Sequence, residues 1–361
     1  METLSNRRVP WHRSPAIYQK GSKIIELIGN REQSRPVRPD PTVLRAALAT
    51  ARPDAAPDEL SWITGPRLDR PQSTLFPLRL EHDGRTVLHA FYKVHRVRMD
   101  SPLRAAGKPA TFHRVLKRGP LLRDQYMRLA AAAGIPIEMP AFLAVDIDRL
   151  TEVQTALSGR PVNRVLMHAG PGRRSRALEL YRALGAAVAT IERCRDSALA
   201  DEAPPSLDID AMTHPLGRVL ADVDVRRLRG LLHELYAYAC QRADLTYSHG
   251  DLGRGNFLIA PNGAGLIDAL WSPRWRGDDI AYHAVRLRHE LPRLPSWTAS
   301  LISELLAGYG DETLPEQPEW LLTHLRFEGS VAAVNPRNPV DHLQRRQAVQ
   351  RLLAALGPRP R

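Results

Sequence analysis

Residues Ser248 to Asp268 read "SHGDLGRGNFLIAPNGAGLID". Asp251 stands two residues after His249, the amide of Asn256 follows five residues on, and a second carboxylate, Asp268, ends an apolar run. Phe257–Ala260 and Gly265–Ile267 have strand composition and flank Asn262-Gly263, a pair that favours a tight hairpin turn. A hairpin here returns Asn256 and Asp268 to the same end, one offering an amide oxygen and the other a carboxylate.

That pairing suits magnesium, a hard cation that takes one or two protein carboxylates and completes its shell with water and substrate phosphates. Asp251 then stands beside the metal position, where a carboxylate accepts or orients the proton of an attacking hydroxyl. A positive charge for the inner phosphates is offered by Lys93 in "TVLHAFYKVHRV", a strand pattern far upstream. These are the parts that phosphoryl transfer from a metal-bound nucleotide requires.

Working outward, the 361-residue chain has ordinary globular composition, 43% hydrophobic and 25% charged. It carries 51 Lys+Arg against 39 Asp+Glu, a net +12, which favours an anionic partner. An anionic small substrate is expected and nucleic acid is not. Cys194 and Cys240 lack metal-ligand spacing and form no disulfide framework. The first residues lack the apolar core of a leader, and no apolar run reaches the ~18 residues of a membrane span. Cytoplasm is therefore the expected location, with peripheral membrane contact compatible.

Residues 1–58 are basic and Pro-rich and are read as an extension, with helical patterns at Ile17–Ile28 and Thr42–Ala51, the second capped by Asp40-Pro41. Residues 59–157 read as a strand-rich N-lobe: three strands, Asp83-Gly84 as a hairpin turn, a helix ending at Gly134 and a strand at Ala141–Val145. Residues 158–361 read as a mostly helical C-lobe holding the catalytic loop, with helices over 175–200 and through "VRRLRGLLHELYAYACQR". The fold class is α+β in two lobes.

"HGDLGRGN" followed by "LID" resembles the aminoglycoside phosphotransferase family and its choline- and sugar-kinase relatives, within the protein-kinase-like fold. The order Lys, then Asp-x-x-x-x-Asn, then a metal-binding Asp is that of kinases. The resemblance implies ATP or GTP with Mg2+ as cofactors. It makes Asp251 the catalytic aspartate, His249 a structural histidine, Asn256 and Asp268 metal ligands and Lys93 the phosphate-contacting lysine. "SGRP", Ser158–Pro161, is similar to the family's turn after the hinge strand. "RGDDIAYHAVRLR" is similar to the segment whose acid braces the catalytic loop, so Asp278 or its neighbour Asp279 is expected there.

Three departures stand out. The nucleotide-covering loop, "TGPRLDRPQSTLF", has Gly65 as its only glycine, so Ser73 or Thr74 is expected to help hold phosphate. The lysine's usual glutamate partner on the next helix is absent from "LLRDQYMRLA", which offers Asp124. The acid that usually follows the bracing Gly-Asp is replaced by Tyr282 and His283.

For the acceptor, "LWSPRWRGDD" borders Asp268, and Arg274 and Arg276 are expected to grip an anionic group, with Trp271 and Trp275 as flat faces or as core. A second basic turn holds His168, Arg173, Arg174 and Arg176. The expected activity is phosphorylation of a hydroxyl on a small-molecule or glycan-like, anionic substrate. The alternatives are a kinase of protein or lipopolysaccharide core, and an inactive nucleotide-binding scaffold.

Overall fold

The computed structural model describes residues 38–56, 59–70, 73–96, 109–162, 171–242, 244–253, 255–260 and 263–357. The helix expected at Ile17–Ile28, the residue Asn262 and His168 of the second basic turn lie outside them.

The described chain opens with α1 (Pro41–Ala51), which starts where Pro41 presets the first turn and the Asp40 side chain accepts from the Thr42 N–H at 2.7 Å. Four strands follow: β1 (Leu60–Thr64), the two-residue β2 (Leu68–Asp69), β3 (Ser73–His82) and β4 (Arg85–His95). Asp83 and Gly84 both have positive φ, 50° and 71°, as the expected two-residue hairpin turn requires. Helix α2 (Pro109–Ala132) leads to β5 (Ile137–Glu138), β6 (Phe142–Asp146), β7 (Thr151–Thr155) and β8 (Arg160–Pro161). One sheet has the order β1-β3-β4-β7-β6, with β2 added beside β3, and every pairing in it is antiparallel.

The boundary expected at residue 58 cuts through this body. Helix α1 buries Val43 and Ala47. The Asp40 N–H donates to Tyr92 Oη at 3.1 Å, the Trp62 indole donates to the Leu44 carbonyl at 3.0 Å, and Arg149 pairs with Asp40. Residues 39–51 therefore belong with the sheet.

The second half contains α3 (Pro171–Ile191), α4 (Ile209–Thr213), α5 (Asp222–Arg242), β9 (Leu245–Ser248), β10 (Phe257–Ala260), β11 (Gly263–Leu266), β12 (Ser272–Trp275), α6 (Asp278–Glu290), α7 (Pro295–Tyr309), α8 (Pro318–Ala333) and α9 (Pro339–Leu356). Helix α3 stops at Ile191, short of the expected residue 200. Glu192 turns inward to the Gly277 N–H and the Tyr309 hydroxyl, and Asp196 caps the backbone of the turn that follows. Strands β9 and β12, which flank residues 249–271, have no counterpart in the sequence reading. One buried cluster joins α2, α3, β10, β11, α6 and α7, and a second joins α5, α8 and α9 around Trp275. Among the described residues no helix is long and apolar enough to cross a membrane.

Candidate active site

The hairpin expected from the opening stretch forms, with Phe257 opposite Leu266 and the Ile267 N–H donating to the Asn256 carbonyl at 2.9 Å. Asn256 and Asp268 thus sit at one end of it. Asp268 is left-handed (φ 59°), a conformation that Asp tolerates better than most side chains and that aims its carboxylate out of the strand direction.

From the other sheet Lys93 reaches across, its Nζ 2.8 Å from Asp268 Oδ1. These residues are 175 positions apart in sequence. The Lys93 neighbourhood holds Asp268 below the ordinary carboxylate range, although burial opposes it. On its opposite side Lys93 lies 3.4 Å from Glu152, which faces it directly in the β4–β7 register and is only 1% exposed. Burial alone would push Glu152 up; Lys93 and His95, the latter 3.2 Å away, outweigh it and hold the carboxylate low. Asp124, expected as the lysine's partner, points elsewhere: it pairs with Arg123 at 2.9 Å and its side chain is 58% exposed. A cross-strand pair replaces the helix-borne one.

The segment from His249 to Asn256 is fixed largely by contacts to backbone groups. Asn256 Nδ2 donates to the Asp251 carbonyl at 2.8 Å and to Asp251 Oδ2 at 3.2 Å, holding the carboxylate in one orientation and turning its own amide oxygen away. His249 is fully buried, and burial pushes its imidazole down to about 4, so the neutral ring donates from Nε2 to the Ile267 carbonyl at 3.0 Å. It ties the Asp251 segment to the Asp268 segment without touching a reacting group. Gly250 has φ 78°, and a Cβ there would stand 3.0 Å from Ser272 Oγ and 3.1 Å from Leu270 Cβ. Both the backbone conformation and the space require glycine at this position.

The brace is Asp279, not Asp278. The two oxygens of Asp279 accept from the His249 and Gly250 N–H groups at 2.5 and 3.0 Å. Burial and the neighbouring Asp278 push it up to about 8, against the pull of those amides. Asp278 faces the other way, accepting from Thr323 at 2.5 Å and Arg326 at 3.3 Å. His283, one of the two residues that replace the expected acid, also reaches this loop. Its Nδ1 lies 2.9 Å from the Leu252 carbonyl and its Nε2 3.3 Å from Tyr181 Oη, so the ring steadies the same loop.

Ser73 and Thr74 do not stand where they were expected. Thr74 Oγ1 donates to Asp69 at 3.0 Å and accepts from Arg96 at 3.0 Å, and Ser73 is 6% exposed within β3. Both lie in the strand because β2 pairs with β3 there, and neither stands on the loop. Arg274 is half-buried beside Asp278 at 3.8 Å, and Arg276 pairs with Asp311 at 3.1 Å over the Tyr309 ring. The Arg274 side chain is only 17% exposed, whereas that of Arg276 stays 60% exposed. Trp271 and Trp275 are core residues, 1% and 0% exposed. Of the second basic turn, Arg176 pairs with Glu179 and Arg174 lies over Trp297.

The donor set fits a magnesium ion: one half-exposed carboxylate and one amide oxygen at adjoining hairpin ends leave most of the coordination shell to water and phosphate.

The sequence model of the phosphotransferase enzyme family matches residues 97–321. The chain belongs to this family. It is a phosphotransferase. No curated protein matches it in sequence. Similar solved structures include aminoglycoside phosphotransferase APH(3'')-Id from Streptomyces rimosus in complex with ADP and streptomycin, at 19% identity and TM-score 0.41, covering 78% of this chain and 97% of that one. Choline kinase from Cryptosporidium parvum has 12% identity and TM-score 0.47, with coverage of 86% and 94%. A choline/ethanolamine kinase family protein from Mesorhizobium loti has 17% identity and TM-score 0.44, with coverage of 88% and 96%.

Proposed function

We propose that this phosphotransferase moves a phosphoryl group from a magnesium-bound nucleotide, ATP or GTP, to a hydroxyl acceptor at the segment 249–268. The observation that carries the reading is the meeting of Lys93 and Asp268 at 2.8 Å, beside an Asp251 whose orientation is set by Asn256. Bound magnesium would neutralise charge on the transferring phosphates, with Asp268 and Asn256 as its protein ligands. Lys93 binds and orients the inner phosphates, and Glu152 keeps the lysine charged and aimed. Asp251 orients the acceptor hydroxyl and takes its proton, while His249, His283 and Asp279 keep the Asp251 backbone in place. A nucleotide donor makes the cytoplasm the working compartment.

An anionic acceptor is supported by the net charge of +12, with the exposed Arg276 as a candidate contact and Arg274 held inside beside Asp278. The test is thermal stability with ATP or GTP, with and without Mg2+, for the wild type, Asp268→Ala and Asp251→Asn. A ligand that binds only the folded state stabilises by about 2.7 kcal/mol at a hundredfold excess over its dissociation constant. The expected result is a Mg2+-dependent rise that Asp251→Asn keeps and Asp268→Ala loses. Asp251→Asn should also lose turnover by about a hundredfold or more. No rise at millimolar nucleotide, or full turnover in Asp251→Asn, would sink the assignment.

A further inference from the structure

An open cavity of about 480 Å3 lies between the end of α6, α7 and α9. Leu291, Ile302 and Leu306 give it an apolar wall, while Arg288, Arg351 and Gln347 form its polar side. The two arginines are served unequally. Arg351 binds the buried Glu328 through Nε at 2.5 Å and through its terminal nitrogen at 3.1 Å. His289 Nε2 lies 2.8 Å from the same carboxylate, which is 0% exposed. Glu328 is therefore used up.

Arg288 makes no ion pair among the described residues; its guanidinium meets only the His324 ring, at 3.2 Å. Burial pushes His324 down to about 4, helped by Arg288, so it supplies no charge of either sign at neutral pH. Arg288 itself is lowered by burial and by Arg351. One carboxylate thus faces two guanidinium groups, leaving an excess positive charge at the rim of an apolar cavity, a costly arrangement that an anion would relieve.

We propose that this cavity binds an organic anion, an apolar body carrying a carboxylate or phosphate head, with the head on Arg288 and Arg351. The site is separate from the reacting residues: Arg288 lies nine residues along α6 from Asp279, a rise of about 13 Å. Its volume suits an acyl chain or small ring system better than a bare ion.

Titration calorimetry on the full chain tests it with octanoate, octyl phosphate, octan-1-ol and inorganic phosphate. The expected result is binding of at least one anionic amphiphile, at least about tenfold tighter than octanol or inorganic phosphate. The preference between octanoate and octyl phosphate identifies the head. Arg288→Gln should weaken that binding about tenfold or more while leaving the Mg2+-nucleotide response of the wild type. Ala299→Phe, an exposed position on the cavity wall, should block it by filling space, and it serves if Arg288→Gln fails to fold. Equal binding of octanol, no binding of either anionic amphiphile, or wild-type binding in Ala299→Phe overturns the proposal.

Discussion

At the scale of single residues, Glu152 determines how Lys93 is presented. Glu152→Gln keeps the shape and removes the charge that faces Lys93 across the strands. Lys93 then swings on Asp268 alone, so the KM for nucleotide should rise and kcat fall, together about tenfold to a hundredfold in kcat/KM, with a stability loss of about 1–3 kcal/mol. Asp124→Ala should change neither; steady-state kinetics on the pair separate the two carboxylates. Asp279→Asn is expected to be as damaging as a substitution of Asp251, because an amide has one acceptor oxygen where the His249 and Gly250 N–H groups need two. A kcat within threefold of wild type would remove the bracing role. Asp251, Asn256 and Asp268 could be read from the sequence because one short loop and one hairpin fix their spacing. Glu152 could not, since a cross-strand neighbour is defined by the register of two strands nearly sixty residues apart. The choice between Asp278 and Asp279 likewise depended on the rotation of α6.

At the scale of elements, α3 and α7 touch through glycine. A Cβ on Gly185 would overlap the Leu305 carbonyl and stand 2.6 Å from the Tyr309 nitrogen, and one on Gly308 would overlap the Arg182 carbonyl. These neighbours are helix backbone and cannot retreat. Gly185→Ala and Gly308→Ala should each cost about 3 kcal/mol or more, against the gain an alanine usually brings to a helix. Gly230→Ala in α5 has nothing within 4 Å and should gain about 0.5–1 kcal/mol. Urea unfolding of the three variants gives opposite signs if the contact is as described. Helical periodicity made α3 and α5 legible, and the Asp-Gly turn made the β3–β4 hairpin legible. The β9–β12 pair was hidden because each strand has four residues and β12 contains Pro273. The span of α1 is legible in the local pattern, whereas the packing that joins it to the sheet is not.

At the scale of the whole molecule, Glu192 links α3, the Gly277 turn that starts α6, and α7 through Tyr309, with contacts of 2.7 and 2.5 Å. Burial pushes it up to about 7 from 4.5. The native state therefore keeps a proton that the unfolded chain has lost, and between these two values stability falls as pH rises, levelling off above about 7. The contribution is up to about 3 kcal/mol. Asp279, pushed up to about 8, acts in the same direction. Chemical denaturation at pH 5, 6, 7 and 8 should show the decline in wild type and a flatter profile in Glu192→Gln. Parallel profiles would mean that Glu192 stays ionised in the folded protein.

The contact between Lys93 and Asp268 makes the lysine a resident counterion for the carboxylate expected to hold the metal. A divalent cation held by Asp268 would have to compete with the ammonium group already there, and Glu152, 3.4 Å from the lysine, would keep Lys93 in place. Such a site would discriminate against bare cations: an ion without phosphates would leave Lys93 without its Asp268 partner, whereas a nucleotide would offer Lys93 a phosphate in exchange. Lys93→Met should therefore bind manganese alone more tightly than wild type while binding the manganese–nucleotide complex more weakly.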